Sequence, residues 1–154
     1  MAVNSSPLNG SFNGSDAVFK IVVSDPNGAA NLYQTNVMPG TNLDAATSCF
    51  LFYQHQANQI FLYAPATATW SAAMSLTPGS GSITQLDSSL CTLFKTNSDG
   101  AYIGNQPTQF ELSLSITLKP ALANPVNIWS WVGDLQGQYF WWSILPPQAY
   151  TRVP

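Results

Sequence analysis

The segment Gln109–Lys119 reads QFELSLSITLK and has the most regular hydrophobic pattern in the chain. Apolar and polar residues alternate along it. The apolar set is Phe110, Leu112, Leu114, Ile116 and Leu118. Because successive side chains of a β-strand point to opposite faces, this alternation predicts a strand with one face in a core and the other in water. Such half-buried strands are typical of antiparallel sheets.

Further short segments predict strands, and turn-forming residues separate them. Residues 16–24 (DAVFKIVVS) alternate in the same way and end at the turn residues Asp25-Pro26-Asn27-Gly28. The apolar runs 48–53 and 59–64 flank the polar residues HQAN and predict a β-hairpin. Other strands are predicted at 31–38, where Pro39-Gly40 is expected to stop the strand, and at 70–76, 90–95, 126–132, 139–145 and 149–153.

These strands, without a segment of helical periodicity, predict an all-β fold. The expected architecture is an antiparallel β-sandwich, either immunoglobulin-like or jelly-roll. The 154 residues suit one domain with its own core. We expect residues 16–154 to form this domain, and the Ser-, Asn- and Gly-rich residues 1–15 to form a flexible leader or an edge strand.

The chain carries little charge. Asp, Glu, Lys and Arg make up 7% of it, against about 25% in average globular proteins. The basic residues Lys20, Lys95, Lys119 and Arg152 are scattered, so no basic patch exists for nucleic acid. The apolar runs are too short for a membrane span. A neutral, hydrogen-bonding surface suits an extracellular or cell-surface setting, and an uncharged partner such as a polysaccharide or a neighbouring protein domain.

The chain has two cysteines, Cys49 and Cys91. A structural disulfide is the favoured interpretation and fits a secreted domain, while two buried free thiols are the alternative. A loop of about 40 residues closed by such a bridge would contribute about 4 kcal/mol by chain-entropy arithmetic. Two cysteines and His55 do not make a metal site.

Five segments, in order, resemble a repeat domain found in large secreted and surface proteins of soil bacteria, often in tandem. They are Ser24–Leu32, Cys49–Tyr53, Asn58–Leu62 leading to Trp70, Leu76–Leu93 and Leu112–Asn124. The resemblance implies an immunoglobulin-like or fibronectin-type sandwich, stapled by Cys49 and Cys91. It also implies an accessory domain of a modular extracellular protein, without known catalytic activity. A shared fold does not by itself define a function.

Catalysis is not expected from this sequence. The acidic residues fit no motif of paired carboxylates. His55 lies in a predicted hairpin turn without an accompanying Ser or Cys motif, so a solvated turn residue is expected. The chain is therefore predicted not to be an enzyme, and no cofactor is predicted. A structural calcium stays open, with the candidate ligands Asp25, Asn27, Asp44, Asp134 and Gln136.

Four of the five tryptophans lie in the segment 127–142 (NIWSWVGDLQGQYFWW). Alternation in 126–132 puts Val126, Ile128, Ser130 and Val132 on a presumed core face, and Asn127, Trp129 and Trp131 on the other. Outward rings would suit stacking on sugar. The alternative is that Trp129 and Trp131 pack in the core or against cross-strand neighbours.

The resemblance separates the remaining aromatics. Trp70 and Trp142 have counterparts in the repeat domain and are assigned mainly to packing. Tyr139 and Trp141 stand at positions that are not aromatic there, so they are the first candidates for function.

The sequence favours a non-catalytic extracellular module that binds carbohydrate by aromatic stacking. The alternative is a structural or adhesion domain whose aromatic patch contacts another protein domain. The candidate ligand-binding residues are Trp129, Trp131, Tyr139, Trp141, Asn127 and Gln138.

Overall fold

The structure is a computed structural model that describes residues 2–6, 11–12, 17–105, 107–145 and 151–152. Side chains are described within 18–105 and 107–145. The strands are β1 (Ala2–Ser6), β2 (Ser11–Phe12), β3 (Ala17–Ser24), β4 (Leu32–Gly40), β5 (Leu51–Gln54), β6 (Gln59–Ala64), β7 (Thr69–Trp70), β8 (Met74–Ser75), β9 (Gln85–Asp87), β10 (Cys91–Tyr102), β11 (Gln109–Leu118), β12 (Asn127–Asp134), β13 (Tyr139–Ile144) and β14 (Thr151–Arg152). A short 3-10 turn, Ala29–Asn31, precedes β4.

The main strands form two antiparallel sheets that pack together, which confirms the all-β sandwich. The first sheet has the order β1-β3-β11-β10-β9. The second has the order β13-β12-β4-β5-β6-β7, and β8 also pairs with β6. The strand order corresponds to the A-B-E-D and G-F-C-C′-C″ sheets of immunoglobulin variable-type domains, with β9 added to the first sheet and β7 and β8 added to the second. Strands β2 and β14 form a separate parallel pair.

Strand β11 lies in the middle of the first sheet, between β3 and β10. All five apolar residues of its predicted core face are buried, as are Phe19, Ile21 and Val23 of the neighbouring strand β3. Full burial of one such side chain contributes about 1.5–3 kcal/mol. The alternation in the sequence therefore identifies a central core strand.

The predicted hairpin is confirmed, with Gln54 opposite Gln59. Two other predictions of strand ends were wrong. Strand β4 continues through Pro39 and Gly40, because these residues pair with Ile128 and Asn127 of β12. The segment predicted at 70–76 is instead the two short strands β7 and β8.

Strand β10 extends to Tyr102, well beyond the predicted segment 90–95. Its pairing with β11 shifts between Phe94 and Asp99, so a polar stretch is accommodated without ending the strand. The Ser98 hydroxyl donates to the Phe94 carbonyl and accepts from the Ser115 N–H at 2.8 Å. This side chain therefore replaces hydrogen bonds that the irregular pairing would leave unmade.

The two sheets are joined by a disulfide. Cys49 precedes β5 of the second sheet, Cys91 begins β10 of the first, and their sulfurs are 2.02 Å apart. Both residues are buried. The disulfide interpretation is confirmed, and the alternative of free thiols is wrong.

The two ends of the chain are described in part. Ala2–Ser6 pairs with β3 at the edge of the first sheet. Thr151–Arg152 pairs with Ser11–Phe12. Residues 7–10, 13–16, 146–150 and 153–154 lie outside the described residues, and with them parts of the predicted leader and of the predicted last strand. In the part of the chain that is described, no helix is long and apolar enough to cross a membrane.

Replacement of both cysteines by alanine is expected to lower the free energy of unfolding by about 4 kcal/mol. The bridge joins residues 42 positions apart and restricts the unfolded chain. Urea denaturation of the oxidised protein and of the double variant measures the difference, and reduced wild-type protein should behave like the variant. Equal free energies of unfolding for all three samples would contradict this expectation.

Candidate functional site

The predicted aromatic residues of β12 lie on the outer face of the second sheet. Val126, Ile128, Ser130 and Val132 are buried, whereas Asn127, Trp129 and Trp131 are half-buried and alternate with them. The alternation predicted from the sequence is therefore present. Trp129 and Trp131 point away from the core and stay next to neighbouring strands.

Strand β13 adds further aromatics to this face through a bulge. Its pairing with β12 shifts between Ser130 and Val132, so that Trp141 and Trp142 both lie beside Trp131. In a bulge of this kind two residues oppose one, and the regular alternation of side chains is interrupted. Trp141 and Trp142 therefore both lie on the outer face, although they are adjacent in sequence.

Three rings at one end of this face form a group that we call the Trp131 cluster: Trp131, Tyr139 and Trp141. The centroids of Trp131 and Tyr139 are 6.4 Å apart and their planes differ by 16°. The centroids of Tyr139 and Trp141 are 5.6 Å apart at 58°. Tyr139 is 60% and Trp141 is 64% exposed. The cluster therefore has two exposed rings, Tyr139 and Trp141, beside the half-buried ring of Trp131.

Gly133 determines how Trp131 lies. A Cβ atom added to Gly133 would be 2.6 Å from the Trp131 ring. Real Cβ atoms essentially never approach a neighbour so closely. Glycine at this position therefore lets the indole ring lie over the β12 backbone, in reach of Tyr139.

The other candidate residues divide between two places. Gln138 is exposed and directly precedes Tyr139, and its N–H donates to Asp134 Oδ1 at 2.8 Å. Asn127 lies at the opposite end of β12, about 13 Å of strand from Trp131, where its Nδ2 donates to the Thr41 carbonyl at 3.0 Å. The structure thus brings Gln138 to the Trp131 cluster and leaves Asn127 apart.

Trp129 lies between these two places. It is flanked by Met38 of β4 and Ile144 of β13. Its Nε1 is buried and has no hydrogen-bond partner among the described residues. Trp129 therefore packs against side chains of the two neighbouring strands.

A second group of rings, which we call the hairpin cluster, continues across the same face. Its members are Phe50, Phe52, Phe61, Tyr63, Trp70 and Trp142. Phe50 joins it to β13, with its centroid 5.7 Å from Trp142, and also lies 4.8 Å from Trp70. Trp70 is 42% exposed.

The phenylalanines and the tyrosine of the hairpin cluster were not among the predicted site residues. The signal for them was present in SCFLFY and QIFLYA, which are apolar on both faces of each strand. In an antiparallel sheet one face is commonly polar. A strand that is apolar on both faces therefore indicates that its outer face is covered by other side chains or binds a partner.

His55 does not have the solvated position predicted for it. Its ring lies 4.8 Å from Tyr53 and 4.6 Å from Phe110, edge-on to both. Nε2 is 2.8 Å from the Thr35 hydroxyl, whereas buried Nδ1 has no hydrogen-bond partner among the described residues. Desolvation lowers the pKa of His55 to about 3. The prediction failed because Phe110 comes from the other sheet and cannot be seen from the local turn sequence.

Several charged side chains form surface pairs. Lys20 binds Glu111 at 2.8 Å, and Lys119 binds Asp87 at 2.7 Å. Hydrogen bonds from Lys119 and Thr92 lower the pKa of Asp87. Among the described residues, no group of three or more His, Cys, Asp and Glu side chains is placed to hold a metal ion.

The candidate calcium ligands separate into two sets. Asp44 accepts hydrogen bonds from the Ala46 N–H and the Thr47 hydroxyl, both at 3.0 Å, so its own turn uses both oxygens. The other candidates lie in two loops that meet at one end of the sandwich, where Asn27 Nδ2 is 3.4 Å from Gln136 Oε1.

Comparison of the chain with protein-family models, with curated proteins and with solved structures finds no match. The resemblance to the repeat domain of soil bacteria therefore stays a prediction.

Substitution of Gly133 by alanine is expected to destabilise the protein by about 1–3 kcal/mol, because the added methyl group displaces the Trp131 ring. In a Trp131→Ala background the same substitution should be neutral or stabilising, since alanine is otherwise preferred to glycine in a strand. A double-mutant cycle by chemical denaturation measures this coupling. Equal effects in the two backgrounds would mean that the ring does not lie over Gly133.

The free energy of unfolding is expected to fall by about 2 kcal/mol between pH 7 and pH 5 because of His55. Its ordinary pKa of 6.5 applies to the unfolded chain and a value of about 3 to the folded one. Below pH 6.5 the unfolded state therefore binds one proton more, and stability decreases as the pH is lowered towards 3. His55→Gln should flatten this slope in denaturation measured at several pH values. An unchanged slope in the variant would show that His55 titrates normally in the folded protein.

Proposed function

We propose that this protein is a non-catalytic extracellular binding module whose Trp131 cluster binds carbohydrate. Tyr139 and Trp141 are 60% and 64% exposed, and they lie next to each other and to Trp131. This exposure is the main support for the proposal. Large rings contribute most to stability when they are buried. Adjacent exposed rings on a sheet therefore indicate a surface that is covered when a partner binds.

The arrangement of the rings suits the flat C–H faces of sugar residues. The near-parallel planes of Trp131 and Tyr139 have centroids 6.4 Å apart, more than the ~3.5–4 Å contact distance of carbon atoms. The two ring faces are therefore not packed squarely against each other. Trp141 is tilted relative to Tyr139, so the cluster fits a chain that bends or twists better than a flat crystal surface.

Polar groups and charge agree with a neutral ligand. Gln138 is exposed beside Tyr139 and offers an amide for sugar hydroxyls. The nearby Asp134 carboxylate is buried and accepts backbone N–H groups from its own turn. The site thus offers stacking and hydrogen bonding and no exposed charge from these residues.

An extracellular location is part of this proposal. The buried disulfide is typical of secreted domains, and the low content of charged residues suits an uncharged partner. An accessory domain of a bacterial surface protein, as the sequence resemblance implies, would present the cluster to a polysaccharide.

The second candidate function is a structural or adhesion domain that contacts another protein domain. The hairpin cluster favours it, because aromatic rings continue from Trp142 through Phe50 to the exposed Trp70. This surface extends beyond the three rings of the Trp131 cluster. Aromatic residues are also enriched at the centre of protein–protein interfaces.

Binding to insoluble cellulose, xylan and chitin tests the proposal. We expect the protein to be depleted from solution by at least one of them. Trp141→Ala and Tyr139→Ala should each weaken binding about tenfold or more, which is the loss of about 1.4 kcal/mol.

Tyr102→Ala is the matched control, since Tyr102 is 56% exposed but belongs to the first sheet. Its affinity should equal that of the wild type. If no polysaccharide depletes the protein while sedimentation shows concentration-dependent association that Trp70→Ala abolishes, the protein-contact function is supported instead.

A further inference from the structure

Two loops at one end of the sandwich contain the same hydrogen-bonding pattern. Asp25 Oδ1 accepts the N–H of Asn27 at 2.9 Å, and Asp134 Oδ1 accepts the N–H of Gln136 at 2.9 Å. The first loop follows a strand of the first sheet, and the second follows a strand of the second sheet.

Hydrogen bonds join the two loops directly. Asn27 Nδ2 is 3.4 Å from Gln136 Oε1. The Leu135 N–H donates to the Asn31 carbonyl at 2.8 Å, and Asn31 Nδ2 donates back to the Asn27 carbonyl at 2.7 Å. The loops that carry Asp25 and Asp134 therefore form one unit.

Both carboxylates are buried with one oxygen unused. Asp25 is 1% and Asp134 is 7% exposed. Their Oδ2 atoms are inaccessible to water and have no hydrogen-bond partner among the described residues. Burial of an ionised carboxylate without compensation is costly, and buried charges are normally paired or bound to a metal ion. The two unpaired carboxylate oxygens lie in two hydrogen-bonded loops, so one bound cation could compensate both charges.

We propose that this end of the sandwich binds one calcium ion through Oδ2 of Asp25 and Oδ2 of Asp134. Backbone carbonyls of the two loops and water complete the coordination. The ion cross-links the loop after β3 to the turn between β12 and β13.

The donor set selects calcium among the common metal ions. All candidate ligands are oxygen atoms, which suit calcium and magnesium rather than zinc. Calcium accepts irregular coordination by carboxylates, amide oxygens and carbonyls, whereas magnesium needs a near-ideal octahedron and retains several waters. With two carboxylates the dissociation constant is expected to be about 10⁻⁴–10⁻³ M, as in extracellular calcium modules.

Calcium titration into metal-free protein tests the site. Isothermal titration calorimetry should give one ion per chain. About 10 mM calcium should raise Tm by roughly 3–10 °C, and magnesium at the same ionic strength should raise it less.

Asp25→Asn and Asp134→Asn keep the Oδ1 acceptor of each turn and remove the charge. Each should abolish the calcium-dependent shift, while Asp44→Asn should retain it because Asp44 is used by its own turn. In EDTA, Asp25→Asn and Asp134→Asn should match or exceed the wild-type Tm, and in calcium they should fall below it. The absence of a calcium-dependent shift in the wild type would overturn the proposal. So would a calcium-dependent shift that either variant retains.

Discussion

The burial of two alternating faces against each other is the interaction on which the rest of this structure depends. Strands β11 and β3 present aliphatic and aromatic side chains at every second position, and strands β5 and β6 of the second sheet do the same with Leu51, Tyr53, Ile60 and Leu62. Ile128 and Val132 of β12 point into this core. Because side chains alternate along a strand, Trp131 lies on the opposite face. The disulfide then holds the sheets together at Cys49 and Cys91. The outer aromatic face is thus a consequence of how the core is filled.

Features that come from a repeating pattern within one strand or hairpin could be predicted from the sequence. They include the core strand β11, the hairpin around His55 and the alternation that separates Trp131 from Val132 along β12. Features that depend on contacts between distant strands could not. The bulge that puts Trp141 and Trp142 on one face arises from the register of β13 against β12. The burial of His55 depends on Phe110 of the other sheet.

The turn between β12 and β13 connects the two parts of the molecule for which we propose a role. Asp134 accepts the N–H groups of Gln136 and Gln138, and its own N–H donates to the Gln138 carbonyl at 2.9 Å. Tyr139 follows immediately in the chain. A calcium ion bound at Asp134 would therefore hold the turn that positions the first exposed ring of the Trp131 cluster. The two proposals stay independent, since the rings can bind without the ion and the ion can bind without a ligand on the rings.

We propose that the Trp131 cluster, rather than the wider aromatic face, binds carbohydrate. The most direct measurement is an NMR titration that follows the indole N–H signals of the five tryptophans with soluble oligosaccharides of cellulose, xylan and chitin. We expect saturable shifts of the Trp131 and Trp141 signals with at least one of these sugars, and little change for Trp70. The proposal would be contradicted if no indole signal moved with any of the sugars, or if Trp70 responded while Trp131 and Trp141 did not.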